Sequence, residues 1–386
     1  MKIGFVVERP TQFEAPFYCH ATRAGGAELK VLFTALHPGD PVFDPELGRA
    51  VSWDLDLLDG YEHSAPDAGL GTWLSREIRP GAFDLLIING YTQRAYAQAA
   101  RRARRARIAT ALRLDSATFD GDPPPGLTKR LILAVLRRRF DLFLGVGSLT
   151  RRYLESCGVP PERIGLFPYA IDDERFRAGS KMTPEERRSL RERYGLPETG
   201  PVVLAVAKLH PRETPWDAIR ALPRVADPSV ILAIAGEGPD RAAAEAEAQR
   251  LAPDRVRFLG YVPYAELPRL YGVADAFVHA PREERWGVSV AEALAAGLPV
   301  VVSSRVGAGY DLIDERESGY RYPAGDSAAL AVRLGEALAL PADRVRAAAQ
   351  RTLAKWGYAA SWDHLREAAA RVPARLAGRH DRGAAA

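Results

Sequence analysis

Cysteine and long apolar runs are the features that this sequence has least of. Its two cysteines, Cys19 and Cys157, lie far apart along 386 residues. That spacing implies neither a disulfide framework nor a metal cluster, and it fits a reducing cytoplasm. No apolar run approaches the roughly 20 residues that span a bilayer. Residues 1–7 are too short for the apolar part of a signal peptide and meet Pro10 at once, so we expect a cytoplasmic protein whose first strand lies there.

Net charge is also small, at +4, but the basic residues cluster at two places. The clusters are Arg101, Arg102, Arg104, Arg105 and Arg107, and Lys129, Arg130, Arg137, Arg138 and Arg139. They are either solvated helix faces or a surface for an anionic partner, such as the inner face of a membrane contacted from the periphery. No aromatic interleaving and no nucleic-acid reader motif accompanies them, so nucleic acid is not an expected partner.

The chain length suits two domains of ordinary size, each with its own core. Strand-like and helix-like segments alternate in both halves, which predicts two parallel, doubly wound α/β domains. The order of the strands does not follow from the sequence. Strands are predicted at 3–7, 29–33, 84–88, 108–112, 142–146, 202–206, 230–235, 256–259, 276–279, 300–303 and 320–322.

The most informative stretch joins a predicted strand at 276–279 to a predicted helix at 288–296. Glu284 lies in the loop between them and Glu292 lies in the helix, with seven residues between the two carboxylates. Gly287 precedes the helix, where a diphosphate could approach backbone N–H groups at the carboxyl edge of a parallel sheet. The alternative is an ordinary amphipathic helix that carries two surface glutamates.

Residues 284–292 read ERWGVSVAE, and residues 293–301 continue as ALAAGLPVV. Together they resemble the E-x7-E signature and the G-x-P-V-V tail of the retaining nucleotide-sugar glycosyltransferases of the GT-B fold (family 4 type). Residues 158–176 resemble the phrase that closes the first domain of that family, although Ala170 stands where the family usually carries Gly.

The resemblance implies the fold and the domain order. Two Rossmann-like, doubly wound parallel-sheet α/β domains are expected to face each other across a cleft. The predicted boundaries are 1–177 for an acceptor-binding domain, 178–355 for a nucleotide-sugar-binding domain, 356–372 for a helix that returns to the first domain, and 373–386 for a disordered tail.

The resemblance also implies that cations and a helix N-terminus meet the diphosphate, without a metal ion or other cofactor. Lys208 occupies the Arg position of the family's G-R-L-x-x-x-K phrase. Five residues on, the usual Lys is replaced by Glu213, and Arg212 precedes it. We therefore hypothesise that Arg212 is the second cation. With Glu284 facing the donor sugar, these residues form the predicted catalytic set.

The remaining donor-side residues come from three short segments. Glu292 is expected to accept hydrogen bonds from the ribose hydroxyls, because both carboxylate oxygens can accept. The G-x-G-P turn that begins at Gly236 resembles a turn near the nucleotide, and residues 258–263 resemble the run that lines the base pocket. Tyr261 is alternatively a residue of the pocket rim. The further predicted donor-binding residues are Trp286, Gly287, Val288, Gly236, Glu237, Gly260, Tyr261 and Val262.

The acceptor side is expected in loops that follow strands of the first domain. The candidates are Thr11, Gln12, Tyr91, Thr92, Arg113 and Asp115. Asp115 either accepts a proton from an acceptor hydroxyl or forms an Asx-turn or helix cap. Among the histidines, His20 and His63 match no motif, and His279 is expected to be a packed residue at a strand end.

The expected activity is metal-independent, retaining transfer of a sugar to an acceptor hydroxyl of a glycan, a glycolipid or a natural product. A nucleotide diphosphate sugar is the expected co-substrate, most simply a UDP-sugar. One alternative is a nucleotide-sugar 2-epimerase on the same fold, which would act without an acceptor. The other is a nucleotide-binding scaffold that has lost turnover, for which Glu213 in place of Lys is the best support.

Overall fold

Two parallel β-sheets organise the chain, one in each of two compact units. The computed structural model of the protein describes residues 1–35, 42–44, 49–51, 56–67 and 69–372. Among these, the first unit comprises 1–35, 56–67, 69–170 and 358–372, and the second comprises 42–44, 49–51 and 171–357. The prediction of two parallel-sheet α/β domains is confirmed. The cleft expected between them stays a prediction, and the predicted disordered tail lies outside the described residues.

The first unit contains a seven-stranded sheet in the order β5-β2-β1-β6-β7-β8-β9, with parallel neighbours throughout. A separate antiparallel pair, formed by β3 and β4, lies in the same part of the chain but is grouped with the second unit. The strands are β1 (Lys2–Val7), β2 (Glu28–Phe33), β3 (Val42–Asp44), β4 (Arg49–Val51), β5 (Glu62–Ser64), β6 (Leu85–Ile88), β7 (Ala109–Leu114), β8 (Leu142–Gly145) and β9 (Ile164–Leu166). The helices in this part of the chain are α1 (Glu14–Ala24), α2 (Leu70–Glu77), α3 (Arg94–Arg105), α4 (Leu127–Arg139) and α5 (Ser148–Ser156).

The second unit contains a six-stranded parallel sheet in the order β12-β11-β10-β13-β14-β15. Its strands are β10 (Val202–Val206), β11 (Ile231–Ala235), β12 (Val256–Gly260), β13 (Ala276–His279), β14 (Val300–Ser303) and β15 (Gly319–Tyr322). The remaining helices are α6 (Asp173–Gly179), α7 (Pro184–Arg193), α8 (Trp216–Ala221), α9 (Arg241–Leu251), α10 (Leu267–Gly272), α11 (Val288–Ala295), α12 (Ala308–Asp311), α13 (Ser327–Leu338), α14 (Ala342–Trp356) and α15 (Tyr358–Ala370).

The predicted strands are confirmed because central strands of a parallel sheet are covered on both faces and therefore read as continuous apolar runs. In β6, β8, β13 and β14 every residue is buried. Strands β5 and β9 were not predicted. Each has three residues, and β5 reads EHS, which carries no apolar pattern. Short edge strands of this kind are specified by their neighbours and not by their own sequence.

In each parallel sheet, the strands that follow the first strand are added on one side of it, and later strands are added on its other side. In the first unit β1 lies between β2 and β6, and in the second unit β10 lies between β11 and β13. Such a reversal is a topological switch point, and open α/β sheets bind ligands at the carboxyl ends of the strands there. Helix α15 belongs to the first unit, where the indole N–H of Trp362 donates to the carbonyl of Gly25 at 2.9 Å. Within the described ranges, no helix combines the length and the apolarity needed to cross a membrane.

One sequence-based placement in the first unit is wrong. Arg113 was expected in a loop on the acceptor side. It instead lies in β7 and is buried, with Nη1 at 2.5 Å from Oε1 of Glu14. Its Nη2 donates to the carbonyl of Pro168 at 3.0 Å.

The guanidinium of Arg113 lies between two aromatic rings, 4.3 Å from the centre of Phe167 and 4.2 Å from that of Tyr169. Stacking on aromatic faces and pairing with a carboxylate are the two ways in which a buried arginine is best accommodated. Arg113 therefore joins α1, β7 and the segment after β9 inside the first unit.

Arg113→Met should lower the free energy of unfolding of the first unit by about 3–5 kcal/mol, because it leaves the charge of Glu14 buried without its partner. The double variant Arg113→Met/Glu14→Met should recover most of that loss. Urea unfolding followed by circular dichroism measures both changes. Arg151→Ala is the control, because it removes an exposed pair with Glu155 and should change stability by about 0.5 kcal/mol or less. A loss in Arg113→Met no larger than this would contradict a structural role for the buried pair.

Candidate functional site

The switch point of the second sheet brings together the loops that follow β10 and β13. The backbone N–H of Arg282 donates to the carbonyl of Arg212 at 2.8 Å, which joins the two loops directly. Lys208 lies just beyond the end of β10 and is half-buried, whereas Arg212 is exposed farther along the loop. Two of the predicted catalytic residues therefore come from the loop that borders the loop of the third, Glu284.

The predicted glycine turn presses against the Lys208 loop. A Cβ atom on Gly236 would lie 1.8 Å from the carbonyl oxygen of Ala207, and one on Gly238 would lie 2.3 Å from that of Leu209. The N–H of Leu209 in turn donates to the carbonyl of Glu237 at 2.9 Å. Only glycine permits this approach, so the two glycines set the path of the chain on both sides of Lys208.

The next strand end continues the same edge. The N–H of Gly236 donates to the carbonyl of Gly260 at 2.8 Å, which fixes the end of β11 against the end of β12. The carboxylate of Glu237 pairs with Arg241 on α9. Beyond Gly260, Tyr261 is exposed and Val262 is half-buried. The predicted donor-side residues of β11 and β12 therefore share one edge with Lys208.

Glu284 is held by the loop that follows β14. Its N–H donates to the carbonyl of Arg305 at 2.8 Å, and its carbonyl accepts from the N–H of Gly307 at 2.9 Å. The neighbouring Glu283 is exposed, and its carboxylate pairs with Arg305 at 2.6 Å. The two adjacent glutamates thus differ, because the backbone of Glu284 is fixed on both sides while the side chain of Glu283 lies in a surface ion pair.

Gly287 ends this loop and precedes α11 in a left-handed conformation, with φ of 98°. This backbone conformation favours glycine, and a Cβ atom there, 3.1 Å from Val306 and 3.2 Å from the ring of His279, would also force these side chains to shift. Val288, the first residue of the helix, is half-buried. Trp286 is buried and packs on Trp356, with ring centres 5.5 Å apart. Its side chain is therefore a packing contact inside the second unit.

Glu292 is the most perturbed carboxylate of this region. It lies on α11 with 6% of its surface exposed, and the hydroxyl of Tyr271 donates to its Oε2 at 2.9 Å. Burial raises the pKa of Glu292 to about 7, although the hydrogen bond from Tyr271 and the charge of Arg175 oppose this shift. A buried acid that titrates near neutrality, close to a ligand-binding sheet edge, is a mark of functional sites.

Sequence reasoning missed Tyr271 and Arg175, which come from α10 and α6. Nothing in their local sequence signals the hydrogen bond from Tyr271 or the charge of Arg175 near Glu292, because tertiary packing brings these residues together. His279 is buried as expected, and burial lowers its pKa to about 4, so the ring is neutral. Its Nε2 has no hydrogen-bond partner among the described residues.

In the first unit, the predicted acceptor-side loops leave the sheet around its own switch point. The side chain of Gln93 donates to Glu8 at 2.5 Å, which joins the loops after β6 and β1. Thr11 binds Glu14 of α1 through its hydroxyl, with the N–H of Glu14 at 3.2 Å. The other loop candidates keep the predicted positions, half-buried at Gln12, Tyr91 and Asp115 and exposed at Thr92.

Residues 186–353 match the sequence model of the family described as Glycosyl transferases group 1, and this range holds all of the predicted catalytic and donor-side residues. This segment belongs to that family. This chain is 32% identical over 179 residues, 44% of this chain and 45% of the relative, to the 2-deoxystreptamine glucosyltransferase of Streptomyces kanamyceticus. A GDP-mannose-dependent alpha-(1-6)-phosphatidylinositol monomannoside mannosyltransferase of Mycobacterium tuberculosis is 31% identical over 218 residues, 53% of this chain and 55% of that protein. The chain thus spans about half the length of the curated relatives it matches.

Solved structures are similar over nearly the whole chain. HepE from Anabaena, in complex with UDP and glucose, has a TM-score of 0.70 at 18% identity and covers 95% of this chain and 98% of its own. A glycosyltransferase from Rickettsia africae has a TM-score of 0.74 at 13% identity and covers 96% and 98%. At these identities the similarity shows the fold alone, which both units of this chain share with those proteins.

Replacing Glu292 by Gln should reveal the cost of ionising this buried carboxyl. Because its folded-state pKa lies above the ordinary value, the stability that Glu292 contributes is present at low pH and is lost as the pH rises through about 7. At pH 8 the Glu292→Gln variant should therefore be more stable by up to about 3 kcal/mol. Below pH 4.5 the difference should disappear. Urea unfolding at a series of pH values measures it.

The control for this series is Glu336→Gln, which alters an exposed pair with Arg333. Its effect should stay within about 0.5 kcal/mol at every pH. A difference between parent and Glu292→Gln that does not change from pH 4.5 to pH 8 would contradict the buried, titrating carboxyl.

Gly307→Ala should destabilise the second unit, because a Cβ atom there would lie 1.9 Å from the carbonyl oxygen of Arg285. The loop that holds Glu284 would have to move, and we expect a loss of about 1–3 kcal/mol in thermal unfolding. The matched control is Gly335→Ala in α13, where nothing lies within 4 Å of the added atom. That change should be neutral or should stabilise by up to about 1 kcal/mol. Equal effects of the two variants would mean that the close contact at Gly307 is not made.

Proposed function

We propose that this chain is a retaining glycosyltransferase that moves a sugar from a nucleotide diphosphate sugar to an acceptor hydroxyl. The acceptor is a glycan, a glycolipid or a natural product, and the reaction uses no metal ion or other cofactor. One observation carries the proposal. The switch point between β10 and β13 joins the loops of Lys208 and Glu284, and the helix that follows Gly287 bears the buried Glu292.

The leaving group of such a reaction is a nucleoside diphosphate, whose negative charge grows as the bond to the sugar breaks. Fixed positive charge and backbone dipoles stabilise that charge best when they are positioned in advance. Lys208 and Arg212 supply the cations in this proposal, and the N-terminus of α11 supplies a partial positive charge. The hydrogen bond between Arg212 and Arg282 and the fit of the glycine turn against Ala207 support a preformed arrangement.

Glu292 accepts hydrogen bonds from the ribose hydroxyls in this proposal. A carboxylate can accept about four hydrogen bonds, so the one from Tyr271 leaves capacity for a diol. Glu284 faces the donor sugar, where its negative charge stabilises the positive charge that develops on the sugar ring. Because the pKa of Glu292 is about 7 when no nucleotide is bound, nucleotide affinity should increase as the pH rises through neutrality.

A UDP-sugar is the donor that we propose to test first. The similarity to HepE, which was solved with UDP and glucose, supports this choice, and the names of the mannosyltransferase relatives make GDP-mannose the competing donor. Calorimetry with UDP and GDP, followed by mass spectrometry of acceptor mixtures with UDP-glucose or GDP-mannose, identifies the donor. Proton NMR of the product then shows whether the anomeric configuration of the donor sugar is retained.

Lys208→Ala should reduce kcat/KM by about 100-fold or more, because it removes a charge that acts on the leaving group. Arg212→Ala should reduce it by about tenfold if Arg212 replaces the usual lysine. Arg224→Ala, which removes an exposed cation of the same unit, is the control and should leave turnover unchanged. Steady-state kinetics with the identified donor measures all three variants.

Three results would oppose parts of the proposal. Unchanged turnover in Arg212→Ala together with lost turnover in Lys208→Ala would remove Arg212 from the catalytic set. Tight nucleotide binding without any transfer would indicate a scaffold that has lost turnover. A changed sugar released from donor alone, with no acceptor present, would indicate an epimerase.

A further inference from the structure

Helix α4 of the first unit exposes an apolar stripe. Leu127, Leu131 and Val135 are 73%, 58% and 45% exposed, and their spacing of four residues places them on one side of the helix. Ile132 lies beside them and is 38% exposed. Single exposed apolar residues are ordinary on protein surfaces, but four neighbours on one helix form a patch that indicates an interaction surface.

Helix α4 buries few of its side chains in the core of the first unit. Of its thirteen residues, all of which the structure describes, Leu133 and Leu136 are buried. These two side chains pack into the core cluster that also contains Ala99 and Ala103 of α3. Helices α3 and α4 therefore cover the same face of the seven-stranded sheet, and their outer sides are exposed on that face.

Those outer sides are strongly basic. Residues 94–107 and 127–139 contain no aspartate and no glutamate. The exposed basic residues on the two segments are Arg94, Arg101, Arg104, Arg105, Arg107, Lys129, Arg130, Arg138 and Arg139. We call these residues, together with the apolar stripe of α4, the basic–apolar face. An amphipathic helix with leucines on one side and lysine and arginine around them is typical of segments that lie in a membrane interface.

We propose that the basic–apolar face docks the protein on an anionic lipid bilayer. In the docked state, Leu127, Leu131, Ile132 and Val135 enter the boundary between head groups and acyl chains. The arginines of α3 and the last turn of α4 contact the anionic head groups. Attraction of this kind adds for each basic residue near the surface and weakens with salt. The inference does not depend on the transfer reaction, because every residue of the face lies outside the second unit.

The charge of the face favours a bilayer over other occupants. A second copy of the chain seated on the same face would bring two sets of basic residues together without a compensating carboxylate on either helix. A nucleic acid would match the arginines but would offer nothing to the leucines. An anionic bilayer matches both, because its head groups are negative and its acyl chains are apolar.

Flotation of the full chain with vesicles tests the proposal. The vesicles contain either phosphatidylcholine alone or phosphatidylcholine with phosphatidylglycerol, at low and at high salt. The parent protein should bind the anionic vesicles, and the binding should weaken with salt and on neutral vesicles. The variant Leu127→Ser/Leu131→Ser/Val135→Ser should bind about tenfold or more weakly. At low salt, Arg138→Gln/Arg139→Gln should also bind about tenfold or more weakly than the parent. At high salt, where the attraction between charges is screened, this difference from the parent should disappear.

The control is Val332→Ser on α13, which replaces a side chain that is 62% exposed in the second unit. It should bind vesicles like the parent. All variants change exposed positions, so their thermal unfolding and their calorimetric affinity for UDP or GDP should match the parent, which separates a docking defect from misfolding or from failure of the proposed donor site.

Several results would overturn the proposal. They are equal binding of the triple variant and the parent, equal binding to neutral and anionic vesicles at low salt, and absence of vesicle binding by the parent. Light scattering that shows a dimer of the parent and a monomer of the triple variant would assign the face to a second copy of the chain instead.

Discussion

The candidate site depends on the placement of β13 against β10. Strands β11 and β12 are added in turn on one side of β10, and β13 then pairs with the other side of β10. Because parallel strands send their following loops to the same edge, this return places the loops of Lys208 and Glu284 next to each other, although the two residues are distant in sequence. The hydrogen bond between the backbones of Arg282 and Arg212 then joins them. If β13 paired at an outer strand instead, the same residue types would lie too far apart to act on one ligand.

Glu292 carries a structural penalty close to this edge of the sheet. A fully hydrogen-bonded buried carboxylate keeps its ordinary acidity, but the single hydrogen bond from Tyr271 and the more distant charge of Arg175 do not offset the loss of water. A leucine at this position would be more stable in the packed helix. Packing alone therefore does not account for a buried acid between α10 and α11. A ligand that donates hydrogen bonds to the carboxylate would account for it.

The strands and glycine turns of the second unit could be predicted from the sequence because each is specified by a short stretch of residues. Continuous apolar runs marked the strands, and the glycines at 236, 287 and 307 lie where another chain segment approaches closely. The strand order could not be predicted, because it is set by packing of whole helices on the sheet. For the same reason Tyr271 was missed. Arg113 was misplaced because an arginine at the end of an apolar run resembles a loop residue, whereas Glu14 and two aromatic rings allow it to be buried.

The first unit separates two surfaces that its sequence does not distinguish. Apart from Arg113, its acceptor-side candidates lie in loops at the carboxyl edge of the sheet, after β1, β6 and β7, while α3 and α4 cover one face of the same sheet. The carboxyl edge of a sheet and its face point in different directions. A bilayer that contacts the basic–apolar face therefore does not cover the carboxyl edge. An acceptor that is itself anchored in that bilayer would then need to reach only from the head-group layer to the sheet edge. The shallow packing of α4, which buries two leucines and exposes four apolar side chains, is consistent with a helix that uses one side for the core and the other for the membrane.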